Sequence, residues 1–330
     1  MRFSIRLNND LPINEYPKLA RAAEEAGFDQ FWVSHDLFLR SSPVILTSCA
    51  LATTRIHLGT CILNPYTLHP AEIAMTSSTL QEISNGRFNL GIAAGASDFL
   101  GWVRIPQEQP LARMREVIRQ LRACLDGEPV DGWERQAFLR VPVAQHIPIY
   151  LGATSPGMLR LAGELADGVL PLLFPPEHLA TVKPLIEQGL HKANRPAGDF
   201  DLAACIWCSV SDDGTAAEDV MKDKIVYYGH ALSGYLRDRL GLDPEELDAM
   251  ERALQQNRDP DAARSLVTPP MLRIGIVGAP DALINRLEGL VRLGADHLSF
   301  GPPLGPDPLE AIRLLGETVL PHFKDAGPDS

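Results

Sequence analysis

No stretch of the 330 residues reaches the about 18 consecutive apolar positions that a membrane-spanning helix needs. The opening Met1-Arg-Phe-Ser-Ile-Arg-Leu7 has no apolar signal core, so a cytoplasmic protein without a membrane partner is expected. Basic residues are scarce. The 30 Lys and Arg face 42 Asp and Glu, a net charge of −12, which argues against nucleic acid because counterion release requires a basic surface. Small anionic ligands stay open where helix N-termini or single arginines supply local donors. Cysteines number five, odd and scattered, as in a reducing compartment rather than a disulfide framework. Cys205 and Cys208 make a CxxC pair, but inside the strand-like run Leu202–Val210, where positions three apart face opposite ways, so neither metal nor redox work is expected there. No zinc-ligand spacing, no G-x-S-x-G elbow and no Walker A motif is present, and hydrolase and kinase chemistry fall behind.

What is present is strand and helix in alternation. Strands are predicted at Arg2–Leu7, Phe28–Ser34, Ile56–Ile62, Arg87–Ile92, Ile147–Gly152, Gly168–Leu172, Leu202–Val210 and Gly294–Phe300. Helices are predicted at 14–26 with Asn14 as N-cap, 43–53, 70–84, along the apolar stripe Leu111, Met114, Ile118, Leu121, Leu125, after Gly157, and at 176–192, 281–293 and 309–320. Residues 214–268 read as helices without a strand, a helical insertion within a single domain spanning 1–330. A small residue followed by Asp recurs where a helix hands over to a strand, at Gly27-Phe-Asp29, Ala166-Asp167 and Gly294-Ala-Asp296. Eight strands alternating with helices indicate a parallel sheet closed as a (β/α)8 TIM barrel. The other candidate, a doubly wound open sheet, would want G-x-G-x-x-G after the first strand, where this chain has Asn8-Asn9-Asp10.

In such a barrel the chemistry sits at the C-terminal strand ends. Those ends collect small and polar residues: Arg6, Asn8 and Asn9; Ser34, His35 and Asp36; Thr60, Cys61, Ile62 and Asn64; Gly95 to Asp98; and Gly152, Ala153, Thr154 and Ser155. The segment 56–74 breaks at Asn64-Pro65 and restarts at Pro70, with an apolar, punctuated stretch between that suits a flat ligand, and equally a buried strand followed by a proline-rich connection. Gly152-Ala-Thr-Ser-Pro-Gly157 is the best anion cradle, combining small residues, two hydroxyls and a helix start, although such a sequence is also an ordinary helix cap. His35-Asp36 suits proton transfer near neutrality, and equally a hydrogen-bonded histidine at a strand end. Asp98 serves as an acid if apolar surroundings raise its pKa, and otherwise as a helix-start carboxylate.

Taken together, Gly59-Thr-Cys-Ile-Leu-Asn-Pro-Tyr66 with His69-Pro-Ala71, Gly86-Arg-Phe88 running into Leu90-Gly-Ile-Ala-Ala-Gly95, and Ile147-Pro-Ile-Tyr-Leu-Gly-Ala153 resemble the bacterial-luciferase-like superfamily. So do Ala162–Gly168, Val277–Pro280 and Gly301–Asp307, and the nearest branch is that of coenzyme F420-dependent methylenetetrahydromethanopterin reductases. The resemblance runs from residue 1 to about 320. It implies an insertion-bearing barrel, a homodimer or homotetramer, holding a deazaflavin or flavin at the strand ends. It also implies a non-prolyl cis peptide after the third strand, by position at Cys61–Ile62 or one residue away, and a phosphate-binding role for Gly152–Ser155. Three positions depart from the branch: Arg6 stands where an acid is common, His35-Asp36 reverses the usual Asp-His, and Ala96 replaces an acid, with Asp98 two positions on.

The expectation is an F420-dependent oxidoreductase with a small or pterin-bound one-carbon substrate. Its catalytic candidates are His35, Asp36 and Asp98. The cofactor candidates are Ser34, Thr60, Cys61, Ile62, Asn64, Gly95, Gly152, Ala153, Thr154 and Ser155, and no metal is expected. Two alternatives are an FMN-dependent monooxygenase fed by a partner flavin reductase, and a non-catalytic flavin- or F420-binding barrel.

Overall fold

The computed structural model describes residues 1–141, 143–228, 238–256 and 258–325. It divides into two compact units, residues 2–172 with 181–203, and residue 1 with 173–180 and 204–330. In the first unit, β1 (Arg2–Leu7), β2 (Gln30–Val33), β3 (His57–Thr60), β4 (Phe88–Ile92), β5 (Ile149–Gly152) and β6 (Gly168–Leu170) pair in chain order, every neighbour parallel. Parallel pairing needs a long crossover, supplied here by α1 (Tyr16–Glu25), α2 (Ser42–Ala52), α3 (Pro70–Ile83), α4 (Ser97–Trp102), α5 (Pro110–Leu125) and α6 (Pro156–Leu165), with α7 (Leu179–Lys192) after β6. Eight strands close as a (β/α)8 TIM barrel, because β7 (Asp201–Val210) pairs with β6 at one end of the strand order and lies beside β9 (His297–Leu304) at the other.

The recurring aspartate now has a physical role. Asp29 accepts the N–H of Phe3 through Oδ2 at 2.8 Å, and Asp167 does the same for Ile149, so each carboxylate satisfies a donor at the start of a neighbouring strand. In the second unit, Trp207 on β7 meets Phe174 at 4.6 Å between ring centroids. Around them Met221, Ile225, Leu247, Met250 and Met271 form an apolar core, drawn from α8 (Thr215–Tyr228), α9 (Pro244–Glu251) and later turns. The predicted helical character of 214–268 therefore holds where it is described, while 229–237 and 257 lie outside the described residues, as does Pro142. Cys205 and Cys208 are buried within β7.

Three expectations need correction. The first helix starts at Tyr16 rather than Asn14, because the Tyr16 hydroxyl donates to Asn8 O at 2.7 Å and accepts from Leu11 N, holding the preceding residues in a turn. A ninth strand, β8 (Ile276–Gly278), pairs with Cys208–Val210 and is too short to show a periodicity. Finally, β9 begins at His297 and continues to Leu304 through Pro302-Pro303, a dipeptide that by itself reads as loop.

Candidate active site

The C-terminal ends of β2 to β5 converge on one patch of backbone. After Thr60 the chain leaves β3 through a cis, non-prolyl Cys61–Ile62 peptide, the position expected from the sequence. It then rejoins the sheet alongside β4: Leu63 N donates to Gly91 O (2.9 Å) and Ala93 N to Leu63 O (3.2 Å). Gly91 makes this approach possible, since a Cβ there would lie 1.9 Å from the Thr60 carbonyl oxygen. Gly152 at the end of β5 is the next requirement, for its missing Cβ leaves room for Ala93 Cβ at 3.0 Å and Ile62 Cγ2 at 3.2 Å. Ile62, Ala93 and Gly152 thus meet, and both Ile62 and Gly152 keep partial exposure.

Asn64 organises the next turn. Its Oδ1 accepts from Tyr66 N (2.9 Å), its carbonyl accepts from Thr67 and Leu68 N, and its amide nitrogen lies against Gly95, whose φ of +74° suits glycine. Gln107, which the sequence did not single out, donates to Ala94 O and Gly95 O at 2.9 Å each and fixes that loop. At the end of β5, Ala153 is buried and Thr154 and Ser155 are exposed at the start of α6. There Ser155 is the N-cap and accepts from Met158 N at 3.4 Å. The same N-terminus that a serine caps offers positive dipole to an anion.

Other candidates are placed differently from expectation. The Thr60 side chain is fully buried and engaged with β4, its hydroxyl donating to Gly91 O (3.0 Å) and accepting from Gly91 N (3.1 Å), so it braces the end of β3 against β4. Ser34 continues the β1–β2 ladder through Ser34 N to Leu7 O at 2.9 Å. His35 is half-buried and burial holds its imidazole below the usual range. Its Nδ1 accepts the Ser42 N–H at 3.1 Å at the start of α2, which assigns the proton of the neutral ring to Nε2. His35 is therefore a donor through Nε2, with its Nδ1 lone pair occupied. Asp36 is half-buried, its backbone clamped by the buried Asn9: Asn9 Nδ2 donates to Asp36 O (3.1 Å) and Arg40 O (2.6 Å). Asp98 is exposed in the first turn of α4, the helix-start reading.

Beneath this rim the barrel is filled. Trp32 lies where a side chain of Gly59 would be (2.1 Å) and meets Tyr150 edge-on at 4.9 Å. Trp32 Nε1 donates to Gln30 Oε1 (2.9 Å), and the Tyr150 hydroxyl donates to Asp201 at 2.6 Å, with Arg2 3.3 Å from the same carboxylate. Burial and the Asp201 charge keep the phenol protonated, well above its ordinary range. Level with Gly59 and Trp32 in the strand register, Asn89 is 2% exposed and its Nδ2 has no partner, an orphan donor on the face of β4 that also carries Gly91. A recess of about 300 Å³ lined by Glu24, Asp29, Arg55 and His57 lies at the opposite ends of β2 and β3, and its Glu24 carboxylate is taken up by the N–H groups of Thr54, Arg55 and Ile56.

Residues 1–297 match the luciferase-like monooxygenase family. The chain is 34% identical to a 5,10-methylenetetrahydromethanopterin reductase of Archaeoglobus fulgidus, covering 98% of this chain and 100% of that one. It is 29% identical to an F420-dependent glucose-6-phosphate dehydrogenase of Nakamurella multipartita over 94% of this chain and 93% of the relative. Among solved structures, a coenzyme F420-dependent tetrahydromethanopterin reductase from Methanopyrus kandleri superposes with a TM-score of 0.88 at 30% identity, covering 98% and 99% of the two chains.

Proposed function

The chain belongs to the luciferase-like monooxygenase family, and from that premise we propose that it is a coenzyme F420-dependent oxidoreductase of the methylenetetrahydromethanopterin reductase type. The observation that carries this reading is full-length likeness, 34% identity across 98% of this chain and the whole of the Archaeoglobus fulgidus reductase.

The residues present fit such a cofactor. Gly91 lets the chain after β3 pass close to β4, Gly95 gives room to the Asn64 side chain and Gly152 to Ile62 and Ala93, and the α6 N-terminus beside Thr154 and Ser155 suits a phosphate. The orphan Nδ2 of Asn89 supplies a buried donor below the rim. Bound there, reduced coenzyme F420 would supply the hydride that converts a pterin-borne methylene group to methyl, itself becoming oxidised F420. This chain's part is to hold, orient and keep dry. The Cys61–Ile62 backbone and Gly152 would back the ring, Asn64 and Gly95 would line its edge, and Gly152–Ser155 would take the phosphate. His35 offers an Nε2 proton at the rim, and Asp36 and Asp98 are the acidic groups within the same loops. An assembly of two or four copies in the cytoplasm, each copy a single barrel domain with 214–268 as its insertion, completes the reading.

The test is titration of the purified protein with F420 and with FMN, followed by fluorescence quenching, and then assay of reduced F420 oxidation with methylenetetrahydromethanopterin. Micromolar F420 binding and pterin-dependent oxidation are expected. Binding of FMN without F420 would overturn the assignment in favour of a flavin-dependent monooxygenase. F420 binding without hydride transfer to any pterin would leave a binding protein.

A further inference from the structure

Two loops of the rim carry large aromatic side chains that the protein interior does not use. Phe38 follows His35 and Asp36 and is 74% exposed; Trp102, at the end of α4, is 64% exposed. Their ring centroids lie 6.3 Å apart, with planes inclined by 35°. Phe99 braces Trp102 from behind at 4.7 Å, and the fully buried Leu100 anchors α4. Leu39 and Val103 extend the apolar surface at 49% and 38% exposure. An exposed, contiguous aromatic patch of this kind marks a binding surface more often than chance.

Phe38 is not a loose side chain on a loose loop. Its φ is +67°, a conformation a bulky residue adopts only when its surroundings impose it. The surroundings are visible: buried Asn9 donates to Asp36 O and Arg40 O, Arg40 N donates back to Asn9 O, and the Arg40 guanidinium reaches Asp10 O at 2.7 Å. The fold therefore holds the backbone on both sides of Phe38 so that the ring stands outward, facing Trp102.

We propose that Phe38 and Trp102 form a clamp for the flat heteroaromatic ring of the substrate, at the mouth of the site, a proposal that rests on the function given above. Three features favour a planar ring over an aliphatic chain or another protein surface. The two ring planes are inclined by only 35°, with centroids 6.3 Å apart. Stacking on both sides of an inserted ring needs about 7 Å, twice the ~3.5 Å of carbon–carbon contact, and opening the notch by under an ångström provides it. The patch is also continuous with the loops that carry His35, Asp36 and Gly95–Asp98, so a ring held there keeps its attached carbon near the candidate cofactor position. Phe38 and Trp102 are thus specificity-determining rather than catalytic residues.

The experiment compares wild type with Phe38→Ala, Trp102→Ala and Trp102→Phe, reading F420 affinity by fluorescence and the KM for methylenetetrahydromethanopterin. Loss of one stacking partner is expected to raise that KM roughly ten-fold, with F420 affinity unchanged within about two-fold and Trp102→Phe restoring most of the loss. Unchanged KM in both alanine variants of an active enzyme overturns the clamp. So does a KM change that accompanies dissociation of an oligomer, which would make the patch a contact between copies. If the wild type shows no pterin turnover, the proposed function fails, and the clamp is then read from binding. Quenching of tryptophan emission by tetrahydromethanopterin that vanishes in Trp102→Ala upholds it, and absence of quenching in the wild type ends it.

Discussion

Replacing Gly91 with alanine isolates the close approach on which the candidate cofactor position depends. The new Cβ would sit 1.9 Å from the Thr60 carbonyl oxygen, about 1.4 Å short of the ~3.3 Å at which carbon and carbonyl oxygen normally meet. Both atoms are tied to backbone, so no rotamer relieves the clash. Thr60 is further pinned by its hydroxyl on Gly91 N and O. β3 and β4 must part, at the expense of the Leu63–Gly91 and Ala93–Leu63 hydrogen bonds. Two hydrogen bonds at about 1 kcal/mol each and overpacking at about 1–3 kcal/mol give a loss of about 3–5 kcal/mol, a large share of a typical ~5–15 kcal/mol stability. At about 2 °C per kcal/mol for a chain of this size, Tm should fall by roughly 5–10 °C. F420 affinity, read by fluorescence titration below that Tm, should fall at least ten-fold. Gly198→Ala, where an added Cβ meets nothing within 4 Å, is the control and should change neither. Wild-type Tm and affinity in Gly91→Ala would refute the reasoning, since the strands would then have room that the 1.9 Å contact denies.

Ser155→Glu places a carboxylate at the α6 N-terminus; it should weaken F420 binding by ten-fold or more, with little change in Tm, and unchanged affinity would remove that loop from the site. Asn9→Ala deletes two donors that hold residues 36–40 and should lower stability by about 1–3 kcal/mol, measured by urea denaturation, while raising the KM for the pterin; a neutral result would mean the loop is held by other means. Burial, aided by Arg239, lowers the His178 pKa to about 4. The unfolded chain therefore takes up a proton near the ordinary histidine value of ~6.5 that the folded chain refuses, so this residue's contribution to stability falls as pH drops from about 6.5 to about 4 and is level outside that window. His178→Gln should flatten that part of a plot of urea midpoint against pH, and an identical slope in both proteins would contradict the burial argument.

Much of the barrel was legible because it is local. Many strands are short apolar runs, several helices end at glycine or a small residue, and the Asp29 and Asp167 junctions repeat within a few residues of a strand start. What escaped depends on partners distant in the chain. Three residues are too few for β8 to announce itself, and prolines at 302 and 303 hide the continuation of β9. At the site, Ile62 meets Gly152 and Asn64 lies against Gly95, but a residue's side of the sheet is a matter of pairing. Thr60 reads as a rim hydroxyl and is spent on Gly91, thirty-one positions away. His35 beside Asp36 reads as a proton relay, whereas the ring nitrogen that matters meets Ser42. Gln107 and Asn9 act entirely through backbone groups of other loops, which no motif records.

Trp32, set into the hollow at Gly59 and braced by Tyr150, has a kinetic corollary. With the shaft filled by Trp32 below the rim, a molecule lodged deeper than the Phe38–Trp102 pair would arrive before, and depart after, the one stacked above it. Steady-state patterns for the two ligands should accordingly be those of compulsory order, the redox carrier first in and last out.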